Sequence, residues 1–143
     1  MHQLIIIAGA LGRDPELRYA PSGKAVCNFS MATNRQYTGS DGQIVKEVTW
    51  FRVSVWGRQA ETCNQYLKKG SKVLVEGRLI PDPKTGGPRI YETQNGPGAS
   101  FEVNASTVRF LDSRSSGPNG NGASEHGANG ADEQPAEESW ENW

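Results

Sequence analysis

The chain has 143 residues, 35% hydrophobic and 22% charged, with a formal net charge of −1 at neutral pH. That length suits about one domain whose core closes without staples. Its two cysteines, Cys27 and Cys63, stand far apart with no CxxC or Cys/His grouping, which argues against a zinc site and a disulfide framework and makes a reducing compartment the default.

The charge is divided along the chain. Residues 1–114 hold 15 Lys and Arg against 10 Asp and Glu, a net +5, whereas residues 115–143 hold no Lys or Arg and 6 acids, a net −6. A basic, anion-seeking body therefore carries an acidic appendage that competes for the basic surface, recruits basic partners or only solubilises.

Residues 3–8 contain the unbroken run Leu4-Ile5-Ile6-Ile7, suited to a strand buried on both faces or laid against another subunit. The run is too short to span a membrane and lacks the flank and cleavage site of a signal peptide, so a cytoplasmic, nucleoid-associated location is expected. Asp14-Pro15 is turn chemistry, Leu17-Arg18-Tyr19 a short extended piece, and Pro21-Ser22-Gly23 a tight reversal. From 24 to 33, Ala25, Cys27, Phe29 and Met31 alternate with Asn28 and Ser30, which predicts a half-buried strand with Cys27 as a small core residue. Arg35 and Tyr37 lie beyond that alternation, at the end of a long hairpin whose tip is residues 38–42. A grip on a nucleic-acid strand and an ordinary exposed pair are both open there.

The return strand, residues 45–57, is the most informative stretch. Side chains alternate faces along a strand, so Phe51, Val53 and Val55 point one way while Trp50, Arg52, Ser54 and Trp56 point the other, with Lys46 on the second parity. One reading is a strand buried on both faces. The other is an open face where unpaired bases stack on the indoles and phosphates pair with the guanidinium.

After Gly57 the period changes. Ala60, Cys63, Tyr66 and Leu67 recur at helical spacing over residues 58–69, with Gly70 as the stop and Lys68 and Lys69 at the negative end of the dipole. Alternation resumes over residues 72–80, with Arg78 on the polar parity and Gly77 at a bend. Prolines and glycines over residues 81–98 predict a projecting arm, in which Arg89 and Tyr91 share a parity and Tyr91 is either a stacking ring or a ring packed on its own arm. The last strand, residues 100–111, switches parity between Ala105 and Val108, which predicts a bulge or sharp bend. Beyond Asp112 large apolar residues are nearly absent, and residues 113–143 are expected to be a disordered linker. The tail closes with Glu137, Glu138, Trp140, Glu141 and Trp143, an acidic, aromatic short motif suited to a basic, apolar-lined pocket.

Five antiparallel strands with a helix between the third and fourth is the order of an OB-fold barrel over residues 1–112. The runs from Gly9 to Tyr19, Ser22-Gly23, Ala25-Val26, Ala32-Thr33, Trp50-Phe51-Arg52-Val53, Trp56-Gly57, Ala60-Glu61, Tyr66-Leu67, Lys69-Gly70 and Glu76-Gly77 resemble the bacterial single-stranded DNA-binding proteins in order and spacing. The resemblance covers about residues 3–111. It implies an OB-fold, a homotetramer, sequence-tolerant binding of single-stranded DNA in replication, repair and recombination, and no catalysis; no metal or cofactor is expected.

Carried over by position, the resemblance makes Trp50, Trp56 and Tyr37 stacking rings, and Arg18, Arg35, Arg52 and Arg58 phosphate contacts. Arg78 and Tyr91 complete the candidate DNA-binding set. The family's arm often carries a stacking Trp near the position of Lys84, and here Tyr91 either replaces it or the contact is missing. The family's tail usually ends in several Asp and a Pro-Phe tip that docks on genome-maintenance proteins, and this chain keeps acid and terminal aromatic without the Pro. An RNA-binding OB-fold protein shares the same rings and charges and is the alternative. A nuclease needs a carboxylate or histidine constellation, which the body's acids, His2 and His126 do not form by spacing.

Overall fold

A computed structural model describes residues 1–112, so the tail residues Glu137, Glu138, Trp140, Glu141 and Trp143 lie outside the described residues. The elements run β1 (Ile5–Leu11), β2 (Glu16–Tyr19), β3 (Ala25–Thr38), β4 (Ile44–Trp56), α1 (Arg58–Tyr66), β5 (Lys72–Leu79), β6 (Arg89–Thr93) and β7 (Gly96–Phe110). β1 pairs with β5 and β3, β3 with β4, β4 with β7, and β7 with β5, which closes a five-stranded barrel. The helix falls between the third and fourth barrel strands, as in the OB-fold. The β4–β7 junction is parallel and the other four are antiparallel. An odd number of strands cannot close with every neighbour reversed.

Alternation builds the core. Met31, Val53, Val55, Val73, Val75 and Val103 are fully buried, and α1 adds Ala60 and Cys63 to the same cluster. Burial pushes the Cys27 thiol up to about 11 and the Cys63 thiol up to about 12, the latter also raised by the neighbouring Cys27. Both stay protonated at neutral pH and act as small apolar groups. The parity switch in β7 is a bulge. Register passes from Gly77↔Ala105 to Glu76↔Thr107, and the extra residue, Ser106, donates its hydroxyl to the Glu76 carbonyl oxygen at 3.0 Å. At Gly77 a Cβ would lie 2.2 Å from the Asn104 carbonyl oxygen, so the strands meet there only with glycine.

Three expectations change. β1 is not buried on both faces within this chain: Ile7 is buried, while Leu4 and Ile6 are 56% and 59% exposed. The helix ends at Tyr66 because Leu67 turns to extended backbone and sinks into the core, leaving Lys68 and Lys69 in the following turn and outside its last turn. Tyr66 is consequently off the buried stripe and packs outside against Phe110, ring centroids 6.3 Å apart. The segment from Gly96 to Gly98, expected in the arm ahead of a last strand starting at 100, is the first part of β7 and pairs with β6.

Candidate nucleic-acid interface

Cross-strand register turns the outward parity of β4 into a surface. Val26 lies opposite Trp56, Asn28 opposite Ser54, Ser30 opposite Arg52 and Ala32 opposite Trp50. The partners of the indoles and of Arg52 are therefore small or uncharged, which leaves the larger groups standing above the sheet. Ser54 donates to the Asn28 side-chain oxygen at 2.8 Å and fixes the polar strip between the rings. Trp56 is 41% exposed and Trp50 half-buried, both on the outside of the barrel. Six residues along a strand separate them by roughly 20 Å.

Glycines seat two of the rings. A Cβ at Gly12 would fall 2.5 Å from Cζ3 of Trp50, and one at Gly98 would fall 2.7 Å from Cε2 of Tyr91. Each ring thus occupies space that a side chain would need, and its position is held by backbone. Tyr91 also has the Arg52 guanidinium over its ring, 5.3 Å from the centroid. This contact joins the β6–β7 arm to the β4 face. Phe51 opposes Phe101 and Arg52 opposes Glu102 in the β4–β7 pairing, so Glu102 faces outward beside Arg52. A cleft of about 370 Å³ lies here, lined among others by Arg13, Ser30, Arg52, Arg89 and Glu102.

The remaining predicted residues are spread around this centre. Arg18 shares the row of Val26 and Trp56 and pairs with Glu16 at 3.1 Å. Arg58 is exposed at the first position of α1, two residues after Trp56. Arg78, on β5, lies opposite Asn104 and extends the row of Ser54 across the barrel's outer surface. Arg35 and Tyr37 occupy the other parity of the hairpin, opposite Glu47 and Val45, and so face away from Trp50. Arg35 sits 4.9 Å from the Tyr37 ring centroid and 3.5 Å from the Glu47 carboxylate. A hydrogen bond to Glu47 and its negative charge raise the Tyr37 phenol above its ordinary value. The hairpin therefore offers contacts on both sides.

Sequence reading missed Arg13 and Glu102. Arg13 lies in a turn with no periodicity to mark it, whereas Glu102 shares the outward parity of Ser100 and Asn104 and was legible to that extent. Among the described residues no group of three or more His, Cys, Asp or Glu could hold a metal ion, and no helix is long and apolar enough to cross a membrane.

Seated rings and guanidiniums on the open side of an OB barrel define a class, the binders of unpaired nucleic-acid strands. The sequence matches the Single-strand binding protein family over residues 1–111, and the chain belongs to that family. It is 42% identical over 133 residues to the single-stranded DNA-binding protein of Wolinella succinogenes, covering 92% of this chain and 74% of that protein. It is 39% identical over 124 residues to single-stranded DNA-binding protein A of Bacillus subtilis, covering 86% and 67% respectively. The solved complex of the Plasmodium falciparum protein of this kind with single-stranded DNA matches with a TM-score of 0.64 at 26% identity, over 78% of this chain and 96% of that one.

Proposed function

We propose that this chain binds single-stranded DNA without regard to sequence and shields it during replication, recombination and repair. The observation that carries this reading is the outward row of Trp50, Arg52 and Trp56 on β4, with the cleft beside it. Every base has a π-face, so stacking contributes ~1–3 kcal/mol per base whatever its identity. Arginines on the same surface take the phosphates and release their counterions, which makes affinity fall steeply with salt. Family membership supports the same reading. No step in this mechanism breaks or makes a covalent bond, so the protein acts as a binder and not as an enzyme.

Two further parts of the proposal concern assembly and partners. Leu4, just before β1, and Ile6 on its outer face leave an apolar row suited to a second copy of the chain, and a homotetramer follows the family pattern. The acidic, Trp-ended tail, with Glu137, Glu138, Trp140, Glu141 and Trp143, recruits replication and repair proteins in the cytoplasm.

Titration of the intact chain with oligo-dT and with RNA of equal length, at two salt concentrations, tests the central claim. Tight, salt-sensitive binding to the DNA is expected, with weaker binding to the RNA. Equal or tighter RNA binding would favour an RNA-binding role, and binding to neither would overturn the proposal.

A further inference from the structure

Three arginines around the interface find carboxylate partners on their own sheet: Arg18 on Glu16 at 3.1 Å, Arg35 on Glu47 at 3.5 Å and Arg89 on Glu102 at 3.7 Å. The third differs from the others. The Glu102 side chain is 17% exposed, against 58% for Glu16 and 47% for Glu47. It lies in the wall of the cleft, where Arg13, Arg52 and Arg89 line the same space together with two other acids, Asp14 and Glu16. Its register partner across the β4–β7 junction is Arg52, and Ser100 donates a hydroxyl to it at 3.4 Å.

A carboxylate in that place works against phosphate binding, because it repels the backbone that the arginines attract. Its use is in the free protein. Guanidiniums crowded around one cleft repel one another, and Glu102, more buried than Glu16 and opposite Arg52, relieves the repulsion from within the sheet while holding the arm strand's Arg89 toward β7. The contact is loose at 3.7 Å, and Arg89 is 60% exposed, so the guanidinium can turn to another anion at small cost.

We propose that Glu102 is a built-in counter-anion of the cleft, which holds Arg89 in the free protein and yields it to a backbone phosphate of the bound strand. The inference rests on the reading of this face as the DNA surface. Binding there is an exchange of carboxylate for phosphate, and the retained negative charge makes the complex weaker and quicker to release than the count of arginines suggests. Glu102 is a positioning residue that tunes affinity and exchange.

The test uses the full chain and Glu102→Gln, a replacement of nearly equal shape that keeps an acceptor for Ser100. Affinity for an oligo-dT of fixed length is measured from roughly 50 to 200 mM salt. Glu102→Gln should bind several-fold tighter at the low end, and its plot of log affinity against log salt should be steeper by about 0.7, the value for one more effective charge on a single strand. In an Arg89→Ala background the gain from Glu102→Gln should shrink, because the released partner is missing. Unchanged or weaker binding with an unchanged slope would make Glu102 only a fastener of the arm and overturn the proposal. The Trp50→Ala/Trp56→Ala variant separates this failure from a deeper one. If it binds like the unaltered chain, the reading of the face is wrong; if it loses binding while Glu102→Gln changes nothing, only the counter-anion role falls.

Discussion

Val53 and Val55 are 1% and 0% exposed, whereas Trp56, the next residue along the same strand, is 41% exposed. The inner face of β4 packs against Cys27, Phe29 and Met31 from β3, and the outer face carries rings and a guanidinium over a floor of Val26, Asn28, Ser30 and Ala32. One strand therefore serves two purposes by alternation alone. Inner residues set whether the barrel exists, outer residues set what lies on it, and the two sets touch different neighbours. Changes to the two faces should accordingly separate cleanly in stability and affinity measurements.

The largest effect should come from removing both indoles. Trp50→Ala/Trp56→Ala deletes two stacking platforms and should cost ~2–6 kcal/mol of affinity for oligo-dT if each holds one base. The urea midpoint should move little, since neither ring is buried in the barrel. A large loss of stability with affinity intact would invert the assignment of the faces. Met31→Ala is the converse probe. It empties a fully buried site and should lower unfolding free energy by ~2–5 kcal/mol, with unchanged affinity under conditions where the barrel is folded.

The inner face has a second signature, in alkali. Cys27 and Cys63 lose their protons near 9 when exposed, but only at about 11 and about 12 in the barrel. Above pH 9 the unfolded chain therefore binds fewer protons than the folded one, so stability falls as pH rises. The contribution is fully present below 9, and at pH 10 each thiol should have removed about 1 kcal/mol. Urea unfolding from pH 7 to 10 should show a shallower decline in Cys63→Ala than in the unaltered chain. Equal declines would mean that the thiol meets water in the folded state.

How far these faces were legible beforehand depended on whether the signal was local. Strict alternation from Ala25 to Met31 and from Trp50 to Trp56 marked core and surface correctly, because a strand's period is a property of its own sequence. The parity switch in β7 marked its bulge for the same reason. The end of α1 was misjudged because Tyr66 fits the helical period as well as Leu67 does, and only packing decides which of them enters the core. Gly98 reads as part of the arm ahead of the last strand, yet it belongs to β7 and makes room for the Tyr91 ring. Glu102 beside Arg52 depends on a parallel pairing of distant strands, for which no local pattern exists.

The smallest expected effect tests whether the outer face is electrostatic as well as aromatic. Arg52→Gln should reduce the slope of log affinity against log salt by about 0.7, if the side chain neutralises one phosphate. Arg109→Gln is the control. Arg109 lies opposite Leu74 in the β5–β7 pairing and faces Glu76 at 3.9 Å, away from the β4 register row that carries Trp50, and the slope should not change. Arg52 also sits over Tyr91, so its loss can release the ring as well as the phosphate. The two consequences differ in their salt dependence: a displaced ring lowers affinity by the same factor at every salt concentration, whereas a lost charge alters the slope. An Arg52→Gln line parallel to that of the unaltered chain but lower would assign the residue to holding Tyr91, and a shallower line would assign it to the DNA backbone.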